Sequence, residues 1–536
     1  MYNTRGALLI SGIRLSPDAD VALAIKEARR RLRGVRLLSE GMQFSVYKKA
    51  VDARDRECVR LVYTVIARGN VPTTLPEGIT GVSLLDEEEP VPVYGSAPLS
   101  APPVVVGSGP AGLFCALLLA EHGYAPLLLE RGGDVKERRL AYERFVKEGI
   151  LDPENNVQFG AGGAGTFSDG KLVTRIRDPF GAYVLKTFVR FGAPEEILTL
   201  AKPHIGTDIL GTVVENMLFE ITRLGGKVLT HTTLTGLNVQ NGRLSSVLTT
   251  RGEIAAGALV LAVGHSARDT YEMLLSHGFS IEPKAFSVGM RVEHLQEDID
   301  SSMYGHYAGH PALGHAEYTL SHNTKTRGVY TFCMCPGGEV VAAASEEGGV
   351  AVNGMSYHAR NGKNANSAVL ATVFREDYGA TPQKAIAFQR SIERAAFLSA
   401  GGDYRAPIVT VGDFLRGEAK HEPTRILPTY RGGNVTVVSP DAYLPSVYTE
   451  AIRGAFSRFG RQIRGFDAED AILTGAETRT SAPIRILRTD AHLALGYENI
   501  YPAGEGAGYA GGITSAAVDG LRTALALMTK FKASAD

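Results

Sequence analysis

The feature that most constrains this chain is a glycine-rich segment that stands between two apolar runs. It reads PVVVGSGPAGLFCALLLAEHGYAPLLLE and begins at Pro103. Gly107, Gly109 and Gly112 follow the pattern G-x-G-x-x-G, in which the glycines permit a tight turn, a close approach of backbone to pyrophosphate, and close packing of helix on strand. The segment therefore predicts a strand, a turn, a helix and a second strand that together bind a dinucleotide.

The residues of this turn supply the predicted cofactor contacts. A helix N-terminus offers free N–H groups and the positive end of a dipole to phosphates. Glu130 ends the second strand, where a carboxylate can accept hydrogen bonds from a ribose hydroxyl. The adjacent Arg131 keeps open the alternative that the dinucleotide carries a 2′-phosphate. The predicted contacts from this region are Gly107, Ser108, Gly109, Pro110, Ala111, Gly112, Glu130 and Arg131.

A second strand, glycine turn and helix lie near the C-terminus, in NIYPAGEGAGYAGGITSAAVDGLRTALALM. This segment resembles the closing motif of flavoproteins with the glutathione-reductase-type FAD fold. The resemblance implies that Glu505, after Gly504, binds the ribityl chain, and that Gly511, Gly512 and Ile513 lie at the pyrimidine edge of the flavin. The physics agrees, because a helix dipole stabilises the negative charge of reduced flavin near N1.

Residues 155–172, NNVQFGAGGAGTFSDGKL, form the third unusual segment. Five glycines and several small hydroxylated residues let the backbone pass close to a flat ring or a phosphate; a mobile surface loop is the alternative interpretation. The strand GALVLAVGHS ends at Gly264 and resembles the one that brings the chain back to an FAD domain. The candidate contacts from these two segments are Gly162, Gly163, Gly165, Thr166, Ser168 and Gly264.

Composition limits the partners. The chain is 44% hydrophobic and 21% charged, which is typical of globular proteins, and its formal net charge of −1 gives no field that favours nucleic acid or anionic membranes. The basic run from Arg29 to Arg33 is either a solvated helix face or a contact for RNA or a protein partner. With no signal peptide and no long apolar window, we expect a cytoplasmic protein.

We divide the 536 residues into five segments. The predicted fold class is α/β with α+β: a discontinuous Rossmann-like FAD-binding domain, an inserted β-rich substrate domain, and an N-terminal ferredoxin-like domain. The boundaries are an N-terminal accessory domain at 1–85, a linker at 86–102, the first part of the FAD-binding domain at 103–282, the inserted domain at 283–480, and the closing part of the FAD-binding domain at 481–536.

Several motifs together resemble a broad bacterial family described as FAD-dependent dehydrogenases or NAD(P)/FAD-dependent oxidoreductases. They are GAGGAGTFSDGKL, VGMRVEH, YTFCMCPGGEVV, GAETRTSAPIRI and PAGEGAGYAGGITSAAVDG, with KKAVDARDRE near the N-terminus. The resemblance covers nearly the whole chain and implies FAD as cofactor, the discontinuous FAD domain, the inserted domain and the accessory domain. It implies no substrate, because the family is described by its cofactor.

The four cysteines are too few for a disulfide scaffold, and their spacing fits no zinc pattern, so we predict no metal site. In a regular strand Cys333 and Cys335 would point to one face, as a redox or substrate-binding pair or as buried apolar residues. Their spacing is not the C-x-x-C or C-x4-C of common disulfide relays. Cys115, inside an apolar helix, is interpreted as a core residue.

The sequence does not assign a catalytic residue. The candidate proton donors, each of which could equally be structural, are His204, His265 and His421. The polar residues that could line a site for an anionic substrate, or form an inter-domain salt bridge, are Glu477, Arg479, Thr480 and Arg485. The asparagines that could bind a substrate, or belong to a turn-rich loop, are Asn361, Asn364 and Asn366. His265, Cys333 and Cys335 are the weak catalytic candidates.

The leading hypothesis is an FAD-dependent dehydrogenase or reductase that transfers hydride or electrons between flavin N5 and a small molecule. A flavin-dependent monooxygenase is one alternative, and a flavoprotein that acts on RNA or a protein partner through its N-terminal domain is another. NAD(P)H is a candidate co-substrate, although a second nucleotide-binding glycine fingerprint is not recognisable. The sequence leaves the oligomeric state open, and we expect neither nucleic acid nor a membrane as partner.

Overall fold

The fold is taken from a computed structural model, which describes residues 2–174, 176, 178–324 and 326–533. Within these ranges no helix is both long and apolar enough to cross a membrane. Met1 and residues 534–536, at the outer ends of the predicted first and last segments, lie outside the described residues.

The N-terminal unit is one antiparallel sheet with a helix on it. Its strands follow the order β2-β3-β1-β4, and α1 buries Ala24, Ala28 and Leu32 against the sheet. Turns and bends connect β3 to β4. The elements are β1 (Tyr2–Leu15), α1 (Ala22–Gly34), β2 (Gln43–Asp52), β3 (Arg60–Pro72) and β4 (Val82–Leu84).

The segment that follows β4 is irregular, and backbone hydrogen bonds fix it to the rest of the chain. Gly95 N–H donates to the carbonyl of Met528 (2.8 Å), and Lys532 N–H donates to that of Ala97 (3.0 Å). These bonds fasten the segment to the end of the C-terminal helix.

A five-stranded parallel sheet forms the centre of the molecule, with the order β23-β11-β5-β6-β7. Its strands are short and mostly buried, as in sheets covered on both faces. Helix α2 is buried from Ala111 to Ala120, which fits its continuous apolar sequence. A three-stranded antiparallel sheet, β8-β9-β10, is attached.

The elements that lead up to and away from this centre are β5 (Pro103–Val106), α2 (Pro110–Glu121), β6 (Leu127–Leu129), α3 (Val135–Glu148), α4 (Gly181–Arg190), α5 (Thr207–Arg223), β7 (Lys227–Leu229), β8 (Leu234–Gln240), β9 (Arg243–Thr249), β10 (Gly252–Ala255), β11 (Ala258–Leu261), α6 (Arg268–Ser276) and β12 (Ile281–Pro283).

A seven-stranded sheet of the order β14-β15-β18-β13-β21-β19-β20 comes next, antiparallel except for the β19–β20 pair. The remaining elements are β13 (Phe286–Leu295), α7 (Gln296–Tyr304), β14 (Ser321–Asn323), β15 (Gly328–Cys335), β16 (Glu339–Ala342), β17 (Val352–Met355), β18 (Asn364–Val373), α8 (Arg375–Tyr378), α9 (Pro382–Ser399), β19 (Ala406–Thr410), α10 (Val411–Arg416), β20 (Val435–Val437), α11 (Ser446–Gln462), β21 (Ile472–Glu477), β22 (Ile484–Ile486), β23 (Ile500–Pro502) and α12 (Ile513–Lys530).

Helices α2 and α12 cross with their backbones in contact. A methyl group built at Gly520, in the middle of α12, would collide with the carbonyl oxygen of Ala111 in α2. Since α2 follows the first glycine turn and α12 follows the last one, this crossing sets the distance between the two turns.

The crossing predicts a specific instability. Gly520→Ala should destabilise the protein by about 1–3 kcal/mol, because the added methyl forces two packed backbones apart. Gly454 in α11 is the matched control, since a methyl built there has no neighbour within 4 Å. Gly454→Ala should stabilise by up to about 1 kcal/mol through helix propensity. Urea unfolding of both variants is the measurement, and equal stabilities would show that the crossing has room.

Candidate functional site

The first glycine turn is built as the sequence pattern predicts. The backbone leaves β5 with a left-handed Gly107 (φ +99°), and α2 begins at Pro110 with Gly109 as its extended N-cap. A methyl group at Gly112 would collide with the carbonyl of Gly107, so Gly112 lets the helix fold back on its own turn. Gly109 differs, because a methyl built there would meet its nearest atom only at 3.9 Å.

The glycine loop of residues 155–172 packs against this turn. A methyl built at Gly163 would lie 3.0 Å from the Cα of Gly109, and Gly162 N–H donates to the carbonyl of Ser108 (3.2 Å). Since backbone lies directly on backbone, the interpretation of this segment as a mobile surface loop is wrong. The loop forms one wall of the space in front of α2.

Arg138 of α3, which sequence reasoning missed, holds this loop in shape. It is 1% exposed and donates to the Thr166 hydroxyl and to four carbonyls, those of Asn156, Val157, Ala161 and Gly163. Burial lowers its pKa to about 9, with Glu130 opposing the shift. An arginine on an otherwise ordinary amphipathic helix gives no sequence signal for such a role.

Glu130 lies at the end of β6 and joins the turn to the loop. One carboxylate oxygen accepts from the N–H (3.0 Å) and hydroxyl (2.6 Å) of Ser108, and the other accepts from Gly132 N–H (3.0 Å) and Gly160 N–H (2.9 Å). Four protein donors therefore already satisfy this buried carboxylate. The ribose contact stays a prediction, and a ribose hydroxyl there would share these acceptors.

Arg131 is committed to protein partners. Its guanidinium forms ion pairs with Glu154 (2.8 Å) and Asp269 (2.9 Å) and lies 4.1 Å from the ring centroid of Phe159. A 2′-phosphate at this position would have to compete with two carboxylates.

The closing turn is fixed by Asp519, a second residue that sequence reasoning missed. Its carboxylate accepts from Gly504 N–H (2.7 Å) and pairs with Arg488 (2.6 Å). At the start of α12, the Thr514 hydroxyl donates to the carbonyl of Leu172 (2.8 Å), which ties the helix start to the end of the glycine loop.

The two turns meet at one place. A methyl built at Gly504 would lie 2.7 Å from Cβ of Ala111, and one built at Gly165 would lie 3.3 Å from Cγ1 of Ile513 and 3.9 Å from Cγ of Pro110. The glycine loop thus bridges the starts of α2 and α12. Both starts open on one cavity of about 330 Å³.

Most of the sequence-predicted contacts line this cavity. They are Gly107, Ser108, Gly109, Pro110, Ala111, Glu130, Arg131, Gly163, Gly165, Ser168, Gly264, Gly504, Glu505, Gly511, Gly512 and Ile513. Gly112, Gly162 and Thr166 stand behind the wall and shape it. Wall residues that the sequence did not single out include Phe159, Lys171, Thr232 and Asn353.

The structure places some of the candidate catalytic residues in the cavity wall and others away from it. His265 lines the cavity, with Nδ1 2.9 Å from the hydroxyl of Ser266. The hydroxyl of Ser266 also lies 3.1 Å from Gln158 Oε1. Burial and the nearby Arg479 and Arg268 lower the pKa of His265 to about 4. At neutral pH this residue is therefore uncharged, and it is a weaker base than an ordinary histidine.

The other histidines lie elsewhere. His204 Nε2 donates to the carbonyl of His358 (3.1 Å), and His421 pairs with Asp413 (2.7 Å); neither lines the cavity wall described above. Of the polar set before the closing turn, Glu477, Arg479 and Thr480 reach the cavity. Asn364 and Asn366 instead hold the buried charges Glu293 and Arg291 (3.0 and 2.8 Å).

Glu505 is the titratable group of the closing turn. Burial raises its pKa to about 7, with Lys284 opposing and Cys333 adding to the shift. A neutral or half-ionised carboxyl group therefore stands in the cavity at physiological pH and can donate as well as accept a hydrogen bond.

These features define a class, the flavoproteins and related enzymes that enclose a dinucleotide between two glycine turns. A family model described as "FAD-dependent protein, C-terminal domain-like" matches residues 285–480, and one described as "NAD(P)-binding Rossmann-like domain" matches residues 105–148. An uncharacterised protein of Clostridium beijerinckii is 43% identical over 532 residues, 98% of this chain and 99% of that protein. The chain belongs to the same family as this protein, and the match to the FAD-dependent family model confirms the predicted resemblance and the predicted FAD cofactor.

Similar solved structures are more distant. L-amino acid deaminase from Proteus vulgaris is 15% identical, with 83% of this chain and 97% of that chain covered and a TM-score of 0.32. Glycine oxidase from Bacillus cereus is 10% identical, with 80% and 98% covered and a TM-score of 0.31.

The raised pKa of Glu505 predicts how stability depends on pH. A carboxyl group whose pKa is higher in the folded protein stabilises it below the ordinary pKa of 4.5, and that contribution is lost as the pH rises through about 7. For flavin-free protein, wild type should lose up to about 3 kcal/mol relative to Glu505→Gln between pH 5 and pH 8. Urea unfolding at both pH values measures this.

Glu498→Gln is the control for that comparison, since Glu498 is an exposed glutamate just before the same turn. Its stability should follow that of wild type at both pH values. Parallel pH profiles for wild type and Glu505→Gln would show that Glu505 keeps its ordinary pKa.

Proposed function

We propose that the cavity holds FAD along its length and that the protein is a dehydrogenase or reductase. In this arrangement the start of α2 faces the diphosphate, Glu130 and Arg131 lie at the adenosine end, and the start of α12 lies at the flavin ring. The two glycine turns support this, because both open on the same cavity.

One observation carries the proposal. Most glycines of the site are explained by protein neighbours or, as at Gly264, by a left-handed backbone, but Gly109, Gly511 and Gly512 are not. Methyl groups built at Gly511 and Gly512 have no neighbour within 4 Å, and the one at Gly109 has only a distant neighbour. The protein by itself has room for side chains at these three positions. Glycine at these positions therefore leaves space for a ligand to approach the backbone.

The chemistry follows from what these residues can do. When bound, the flavin supplies hydride or electron transfer at N5. The start of α12 stabilises negative charge at its N-terminus, and Glu505 can hold a proton beside it. His265, which lines the cavity and is uncharged at neutral pH, is the candidate for a hydrogen bond with a small-molecule substrate.

The N-terminal unit is proposed to be a ferredoxin-like domain in which a loop replaces the second helix. Its strand order supports this, since it is that of a split βαβ sheet. The domain docks on the central body: Lys49 N–H donates to the carbonyl of Thr199 (2.7 Å), and Ala201 N–H donates back to that of Lys49 (2.8 Å).

The basic run of this domain favours a structural role over RNA binding. Arg29 lies over the ring of Phe44 (4.4 Å), Arg30 pairs with Glu27 (2.7 Å), and Arg31 donates to the carbonyl of Ser11 (2.8 Å). These charges are engaged within the domain. The expected partner is therefore a small molecule in the cavity.

A methyl group at Gly109 tests the proposal directly. Gly109→Ala should leave the unfolding free energy within about 0.5 kcal/mol of wild type, because the protein has room for the methyl and the backbone there is extended. It should weaken FAD binding at least about tenfold, or about 1.4 kcal/mol, because the methyl stands where the diphosphate approaches.

Flavin fluorescence during titration of FAD into flavin-free protein measures this affinity, with Gly454→Ala as the control that should bind as wild type does. Unchanged affinity of Gly109→Ala would place the diphosphate elsewhere. A wild-type protein that does not take up FAD would refute the proposal as a whole.

A further inference from the structure

Cys333 and Cys335 lie at a β-bulge beside the cavity. Phe332 pairs with Ala368 and Cys335 pairs with Asn366, so three steps along β15 face two along β18. Cys333 takes up the extra length with a left-handed backbone (φ +45°), which is costly for a residue other than glycine. The expectation that both cysteines point to one face of a regular strand therefore does not apply here.

The bulge nevertheless brings the two thiols together. Cys333 lines the cavity, and Cys335 is fully buried behind it. The Cys335 thiol donates to the carbonyl of Cys333 (3.3 Å), so it lies against the backbone of the residue that carries the other thiol. Only one residue separates the two cysteines, and a disulfide between them would require the bulge to bring their sulfur atoms to bonding distance.

Two cations hold the bulge in this form. Arg291 is fully buried, forms a bidentate pair with Glu477 (2.6 and 2.7 Å), and donates to the carbonyl of Cys333 (3.1 Å). Lys171, from the end of the glycine loop, donates to the carbonyl of Met334. Both positive charges act on the sulfur atoms as well as on the backbone.

The consequence is an asymmetric pair. The neighbouring Cys335 thiol, together with Arg291 and Lys171, lowers the pKa of Cys333 below its usual range, although burial opposes this. The neighbouring Cys333 and burial raise the pKa of Cys335 well above its usual range. Cys333 is thus the thiolate that attacks or leaves, and Cys335 is the thiol that keeps its proton, a division typical of redox-active pairs.

The pair stands at the flavin end of the cavity. Cys333 and Glu505 both line its wall, and they are close enough for a charge on Cys333 to raise the pKa of Glu505. Glu505 belongs to the closing turn, which the proposed function places at the flavin ring.

We propose that Cys333 and Cys335 form a reversible dithiol–disulfide couple that exchanges electrons with the flavin. This rests on the proposed function. When the S–S bond forms, both thiols lose a hydrogen, and the two electrons and two protons pass to the oxidised flavin. In reverse, the reduced flavin returns them, the S–S bond breaks, and both thiols are restored.

Anaerobic reductive titration of the holoenzyme with dithionite counts the electrons. Fully oxidised wild type should take up two electron pairs per FAD, one for the flavin and one for the disulfide. Cys333→Ser and Cys335→Ser should each take up one pair, and Cys58→Ser, at an exposed cysteine of the N-terminal unit, should take up two as wild type does. Uptake of one pair by FAD-loaded wild type would overturn the couple and leave the FAD assignment intact.

A second measurement needs neither a variant nor bound flavin. Wild-type protein is equilibrated in glutathione buffers of increasing oxidation, alkylated and digested with trypsin, which releases residues 328–360 as one peptide. This peptide should lose two hydrogen atoms and become resistant to alkylation together at both cysteines, while the peptide with Cys58 should show no such internal bond. Both cysteines staying alkylatable in the most oxidising buffer would refute the couple, whereas failure to bind FAD would refute the proposed function.

Discussion

The contact between the backbones of α2 and α12 at Ala111 and Gly520 is the constraint on which the site depends. Two helices that cross without intervening side chains bring their N-termini closer together than ordinary helix packing at 8–10 Å would. A glycine turn directly precedes each of these N-termini, so the glycine loop can contact both turns at once. A bulkier residue at the crossing would part the turns and open the cavity between them.

The buried polar side chains around the cavity form hydrogen bonds mainly with backbone groups. Glu130 binds N–H groups from both the turn and the loop, Arg138 binds loop carbonyls, and Asp519 binds the closing turn. Because irregular backbone is buried here, its donors and acceptors need such partners, and an unpaired buried group would cost about 1–3 kcal/mol. The charged residues of the site are thus explained by the loop geometry that they stabilise, and no role toward substrate is needed to account for them.

The glycine turns could be predicted from sequence because each depends on a local rule that links spacing to backbone shape. Gly107, Gly109 and Gly112 act within one strand, turn and helix, and the order of elements around them has few alternatives. Arg138 and Asp519 could not be predicted, since their partners lie elsewhere in the chain and an arginine or aspartate on a helix usually faces solvent. The loop of residues 155–172 was visible as unusual, but only its contact with Gly109 shows that it is a wall and not a surface loop.

The cysteines show the limit of periodicity. Alternation along a strand predicts a shared face for Cys333 and Cys335, but the strand carries an extra residue, and a bulge has no reliable sequence signal. His265 shows the limit of residue type: burial and two nearby arginines keep it uncharged at neutral pH, which its sequence position does not reveal. For the cysteine pair and for His265, burial and the neighbouring residues determine the protonation state of the side chain.

Hydrogen exchange with and without FAD tests the central claim most directly, that both glycine turns serve one cofactor. The account predicts that saturating FAD slows exchange at 107–112 and at 504–513 together, with the same dependence on FAD concentration, while the strands of the N-terminal sheet stay unchanged. Protection of one turn alone, or of the two turns at different FAD concentrations, would contradict it.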